Sequence, residues 1–165
     1  MLLKVLLFFF FVHVAHSGIW HYVGHACIGA KGNSYKELVY KGPNVFVGAV
    51  KLVHTSGYVS CRSSSRNSYW GCDSSKVLAI TITDTSDRVL YPSPHLIKRG
   101  GAGWYEMPGY NGVSPELIFR DFCEPQYFKK GRKLRVWYGE DLHGHTEHDN
   151  HGKSCMHVYF YLLAH

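Results

Sequence analysis

The strongest constraint on this chain is an apolar/polar alternation of period two, repeated in short runs that Gly, Pro, Asn and Asp interrupt. From Cys155 to Leu162, Met156, Val158, Phe160 and Leu162 fall on one side, with His157, Tyr159 and Tyr161 on the other. Lys133 to Tyr138 sets Leu134, Val136 and Tyr138 against Lys133, Arg135 and Trp137. Lys76 to Thr83 alternates likewise, and Asn44 to His54 is a further apolar run. Successive strand side chains point to opposite faces, so each run predicts one buried and one wetter face. The breakers Gly42-Pro43, Tyr91-Pro-Ser-Pro94, Arg99-Gly-Gly101, Met107-Pro-Gly109 and Asn111-Gly112 stand where turns belong. Ser114-Pro115-Glu116 offers a short helical start, in competition with a strand over Glu116 to Arg120. The fold class expected is all-β: an antiparallel β-sandwich or jelly-roll of about eight strands.

Residues 1–17 read as a signal peptide. Lys4 precedes the apolar run Val5 to Val12, and Ala15-His16-Ser17 supplies small residues at the cleavage positions. That run is far short of the roughly 20 residues of a membrane span. A single domain over 18–165 follows, secreted and extracellular. The net charge is +6, with Lys4 leaving in the signal. A surplus of that size, unconcentrated, argues against nucleic acid as a partner. Five cysteines lie beyond the signal, and an oxidising compartment favours pairing. Cys61 and Cys72 enclose a short polar loop and are expected to bond. Cys123 with Cys155 is the second expected pair, leaving Cys27 free or available to link a dimer.

Chemistry-bearing residues concentrate in Gly139 to Gly152, GEDLHGHTEHDNHG. Glu140, Asp141, Glu147, Asp149 and Asn150 are hard oxygen donors suited to Ca²⁺. His143, His145, His148 and His151 are donors for Zn²⁺ or Cu²⁺. Neither the EF-hand order nor HExxH is present, and a solvated hairpin loop is the plain alternative. Just upstream, the basic run Lys129 to Arg135 includes Arg132 and Arg135, whose guanidiniums match the anions of a sulfated glycan or a phosphate; a charge-paired rim is the competing reading. Trp70 and Trp104 lie in loop-like stretches and are candidates for stacking on sugar rings, although Trp70 beside a disulfide also suits a core role. No G-x-S-x-G nucleophile elbow occurs, and no catalytic residue is assigned.

The stretch Leu134-Arg-Val-Trp-Tyr-Gly-Glu-Asp-Leu142, followed by Thr146-Glu147, Asp149-Asn150, Gly152, Cys155 and Val158-Tyr159, resembles a C-terminal signature. The signature belongs to poorly characterised secreted and ectodomain modules of cnidarians and other aquatic invertebrates. The resemblance implies an extracellular β-rich domain and carries over no catalytic residue. The leading expectation is a lectin-like binding module for an extracellular glycan or protein, metal-assisted through 139–152. A disulfide-linked matrix protein and a metal-dependent enzyme are the alternatives.

Overall fold

The structure is a computed structural model and describes residues 18–63, 68–99 and 101–163; the signal peptide expected over 1–17 lies outside them. The first strand, β1 (Ile19–Gly29), lies beside the last, β11 (His151–Leu162), antiparallel from Ile19↔Leu162 to Gly29↔Lys153. On its other edge β11 pairs with β3 (Val45–Ser60), from His151↔Ser60 to Leu162↔Val47. β8 (Glu116–Arg120) and β9 (Gln126–Phe128) then add to different parts of β3. The second sheet runs β2 (Lys36–Val39), β10 (Lys133–Tyr138), β4 (Ile80–Thr83), β5 (Val89–Tyr91). A small ribbon pairs β6 (Ile97–Arg99) with β7 (Trp104–Tyr105). The all-β expectation holds, with more strands than the breakers indicated.

The core forms where the inward faces of the two sheets meet. Met156, Val158, Phe160 and Leu162 of β11 are all buried, as their alternation predicts, and His157, Tyr159 and Tyr161 are half-buried on the outer face. Phe160 packs against Phe128 (ring centroids 4.7 Å) and Tyr40 (5.5 Å), joining β11 to the ends of β9 and β2. Buried phenols need acceptors. Tyr91 Oη donates to the Val47 carbonyl (3.0 Å), linking β5 to β3 across the sheets, and Tyr105 Oη donates to the Ile80 carbonyl (2.6 Å). Alternation is lost where a second face is also covered. Thr81 and Thr83 are buried together with Ile80 and Ile82, and Trp137 lies beneath the Tyr35 ring at 4.3 Å. Glu116 to Arg120 is strand, so the helical start at Ser114 is not used.

Cys61 and Cys72 are bonded as expected, but Cys123 does not bond Cys155. Cys155 bonds Cys27 instead, because the two face each other in the β1–β11 ladder with Cα atoms 4.0 Å apart. The dimer link through Cys27 is excluded by the same bond. Cys123 is the free, exposed cysteine. Cross-linking positions 128 residues apart restricts the unfolded chain more than the 11-residue loop does; the chain-entropy model gives nearly 5 kcal/mol for a 100-residue loop against about 3 for a 15-residue one. Iodoacetamide applied to the native, unreduced protein should therefore alkylate Cys123 alone, checked by peptide mass spectrometry.

Candidate functional site

The 139–152 segment leaves β10 through a position that admits no side chain. A Cβ on Gly139 would stand 2.7 Å from the Ala102 carbonyl oxygen, and the Gly139 N–H donates to the Ala79 carbonyl at 2.6 Å. A short helix, α1 (Gly139–His143), follows and ends at Gly144, whose φ of 59° is the left-handed cap that glycine tolerates best. A single 3₁₀ turn over Glu147–Asp149 then delivers Asn150 to the start of β11. In place of a solvated hairpin loop, the plain alternative, the segment is two helical turns that fold acidic groups inward.

Those acidic groups grip the turn between β1 and β2. Asp141 accepts the backbone N–H of Asn33 and of Ser34, each at 2.7 Å, one on each carboxylate oxygen. Glu147 accepts the Gly32 N–H at 3.0 Å, and Asn150 donates from Nδ2 to the Ala30 carbonyl at 3.0 Å. Lys31 reaches back to the His148 carbonyl (3.2 Å). Glu140, Asp141 and Asn150 are 2%, 3% and 0% exposed. Two oxygens there are buried without a hydrogen-bond partner: Glu140 Oε2 and Asn150 Oδ1. An unmet buried acceptor costs about 1–3 kcal/mol, and an acceptor of this kind is one that a cation would suit. Burial pushes the Glu140 carboxyl up, against the lowering effects of the Asn150 side chain and His145. Asp141 is pushed up to about 6, by burial first and by the adjoining Glu147 carboxylate, against the lowering effect of the two N–H donors.

The other sequence candidates divide sharply. His143, His145 and His148 are exposed and His151 half-buried; none joins a group of three His, Cys, Asp or Glu ligand atoms within 4.8 Å among the described residues. Asp149 lies 4.0 Å from the His148 ring. Trp70 is fully buried, and its indole N–H donates to the Ser114 carbonyl at 2.6 Å. Having no exposed ring face, it is not a stacking platform. The polar loop around it folds inward because Ser68 accepts the Gly71 N–H and donates to the Gly112 carbonyl. Trp104 is half-buried and lines a cavity of about 250 Å³ with Val77, Lys98, Tyr105 and Glu106. Arg132 donates to the Tyr127 carbonyl (2.6 Å) and covers the Phe128 ring (4.4 Å). Arg135 pairs with Asp87 (2.7 Å) and covers the Tyr35 ring (4.8 Å), while Lys133 pairs with Glu37 (2.7 Å). Within the basic run, Lys133 and Arg135 form a charge-paired rim, while Arg132 is engaged with a carbonyl and a ring.

Sequence reasoning missed the 30–34 turn, and with it a cavity of about 500 Å³ lined by Lys31, Ser34, Tyr35, His151 and Lys153. Its cluster of Gly, Asn and Ser signals a turn, yet nothing in it names a partner more than 100 positions away.

The fold and this site define a small two-sheet β protein, stapled by disulfides, with a polar, acid-lined turn system at one end. A solved structure, that of AJLec from the sea anemone Anthopleura japonica, matches it with a TM-score of 0.77 and 35% sequence identity over 88% of this chain and 98% of that one. The chain belongs to the same family as AJLec. AJLec comes from a cnidarian, in keeping with the kinship expected from sequence, and its name suggests a lectin. No protein-family model matches the chain, and no curated protein does. Among the described residues no helix is long and apolar enough to cross a membrane.

Two outcomes follow from this geometry. Trp70→Ala should lower stability by about 3–5 kcal/mol, as for other buried aromatic truncations, read as a lower urea midpoint. For Asp141, the native carboxyl holds its proton to about 6, above the ordinary value near 3.9 in the unfolded chain. The native state therefore binds more protons between about pH 4 and 6, and this group's stabilising contribution, complete below that window, is lost as pH rises through it. Glu147→Gln removes the like charge, so its Tm relative to wild type should rise from pH 4 to pH 6.5, measured by thermal melts.

Proposed function

We propose that this chain is a secreted, lectin-like glycan-binding module whose contact surface is the 139–152 segment and the cavity it shares with the 30–34 turn, assisted by Ca²⁺. The observation that carries the reading is the pair of buried, unpartnered oxygens, Glu140 Oε2 and Asn150 Oδ1, in a relative of AJLec. Ca²⁺ takes hard oxygen donors in flexible numbers, and a carboxylate with a carboxamide oxygen is a usual part of its shell. Glu140 and Asn150 would hold the ion, with Asp149 closest in chemistry among the remaining candidates. Asp141 and Glu147, whose oxygens receive N–H groups of the 32–34 turn, would position the wall of the site. Against Zn²⁺ or Cu²⁺ at this place stands the spread of the four loop histidines.

The cavity supplies polar groups for a saccharide beside a metal: the Ser34 hydroxyl, Lys31, Lys153 and His151 for hydroxyl or acidic substituents, with Tyr35 in the wall. The two-sheet scaffold holds this end rigid, since β10, β11 and the 30–34 turn all enter ladders within a few residues. The disulfides and the AJLec kinship both fit an extracellular setting.

The test is retention on immobilised polysaccharides and thermal melting, each with EDTA and with Ca²⁺ restored. Retention that EDTA abolishes, with a Ca²⁺-dependent rise in Tm, is expected; a hundredfold excess over Kd adds about 2.7 kcal/mol. Glu140→Gln and Asn150→Ala should each lose the Ca²⁺-dependent rise and at least tenfold of the retention. Retention indifferent to EDTA would remove calcium from the reading, and no retention on any matrix would remove the glycan.

A further inference from the structure

Beside that cavity, whose wall includes Cys27, four metal-ligating side chains form a square on the outer face of the β1–β11 ladder. β1 carries His25-Ala26-Cys27 and β11 carries Cys155-Met156-His157. In the antiparallel register Cys27 faces Cys155 and His25 faces His157, with no bulge between the two pairs. The intervening Ala26 and Met156 point into the core, so both cysteines and both histidines share the outer side. Positions two apart along a strand repeat the same type of cross-strand pair, and the cysteine Cα separation of 4.0 Å is that of the closer type. The imidazole centroids are 5.2 Å apart. A His25 ring nitrogen and the sulfurs of Cys27 and Cys155 all lie within 4.8 Å of one another, the one such group among the described residues.

We infer that this square is a thiol-gated zinc site. As a disulfide the sulfurs are spent; as two thiolates, with His25 and His157, they form a Cys₂His₂ set. Tetrahedral zinc with Zn–S of about 2.3 Å and Zn–N of about 2.0 Å asks for ligand atoms closer than those 4.8 Å, a shift that side-chain rotation supplies. His157 comes from one rung further along the ladder to close the fourth position. Both imidazoles already have the outer partners that fix a ligating ring. Tyr22 Oη lies 3.3 Å from His157 Nδ1, and Thr55 Oγ1 lies 3.3 Å from His25 Nε2. In each ring the other nitrogen is left for the metal.

The chemistry closes without residue. A dithiol reductant attacks the Cys27–Cys155 bond and leaves as its own cyclic disulfide, having given two electrons and two protons to the cysteine sulfurs. Zn²⁺ then displaces those two protons on binding both thiolates. Oxidation by a disulfide carrier runs the other way: the carrier is reduced to its dithiol, the Cys27–Cys155 bond forms, and Zn²⁺ is released. Either staple joins β1 to β11, so zinc would hold the first and last strands in register in a chain whose disulfide has not yet formed.

Cobalt(II) is the probe, on full-length secreted protein reduced with an excess of phosphine and freed of it under anaerobic conditions. Wild type should take up one Co²⁺ per square with the intense visible bands of tetrahedral coordination and a thiolate-to-cobalt charge-transfer band, all displaced by Zn²⁺. The oxidised protein should show neither band. His25→Asn and His157→Asn, which keep the disulfide and can be checked as folded before reduction, should each weaken Zn²⁺ at least tenfold. Cys61→Ser/Cys72→Ser and Cys123→Ser should leave the bands in place. Bands that persist in Cys27→Ser/Cys155→Ser, that depend on Cys61 and Cys72, or that ignore both histidine substitutions would overturn the assignment, as would no uptake by reduced wild type. None of these readouts involves glycan, Glu140 or Asn150.

Discussion

The double pairing of β11 is the constraint on which this structure depends. That one strand has β1 along one edge and β3 along the other for nearly its whole length, so the chain's last strand is the spine of the larger sheet. Its inner face, from Met156 to Leu162, fills the core, where Phe160 touches the Phe128 ring of β9 and the Tyr40 ring just past β2. Because the flanking strands β1 and β3 come from the beginning of the domain, the sheet closes only once the last strand arrives. Non-local pairing of this kind carries a large loop-closure cost, and a covalent bond between Cys27 and Cys155 across that same ladder offsets it from the unfolded side.

The position of β11 also dictates the chemistry of the 139–152 segment. β10 and β11 belong to different sheets, so the connection between them must cross the end of the sandwich rather than turn as a tight hairpin. Crossing there brings Glu140, Asp141 and Asn150 over the open end of the core, where water is excluded and each polar atom needs a partner. Asp141 finds two N–H groups in the turn that leads from β1 toward β2, which gives that turn a fixed shape and creates the wall of the neighbouring cavity. Glu140 Oε2 and Asn150 Oδ1 find none. The fold thus satisfies Asp141 twice over and leaves an acceptor bare on each of two neighbouring buried side chains of the same segment, the feature on which the proposed cation site rests.

The sequence was legible where one face of a strand is dry and the other wet. β10 matched its expected limits, and the inward residues of β11 were those that the alternation named. β1 was not legible: only Ala26 and Ile28 are buried, Trp20 and Tyr22 are exposed, and a bulge between Tyr22 and Gly24 shifts the phase. Missing that strand entailed the wrong second disulfide, since only the β1–β11 register puts Cys27 opposite Cys155. A signal was nonetheless present. His-x-Cys early in the chain and Cys-x-His late are mirror images, as two facing antiparallel segments would be. Trp70 misled for a different reason. Its loop is rich in Ser and looks wet, but Ser68 turns its hydroxyl to the backbone and lets the indole drop into the core.

The acidic segment shows why composition read the site in outline and misassigned its parts. Five carboxylate or carboxamide side chains within 11 positions announce a cation or a loop clasp, and here Asp141, Glu147 and Asn150 form the clasp. Which residue does which is decided by partners that lie far off in sequence: the N–H groups of Gly32, Asn33 and Ser34, and the carbonyl of Ala30. Glu147 is close enough to raise the affinity of the Asp141 carboxyl for a proton, so the clasp strains as Asp141 becomes charged. A bound cation beside them would relieve that repulsion and tighten the turn against the cavity. On the proposed reading, metal, loop shape and ligand surface would form one coupled electrostatic unit rather than three separate features.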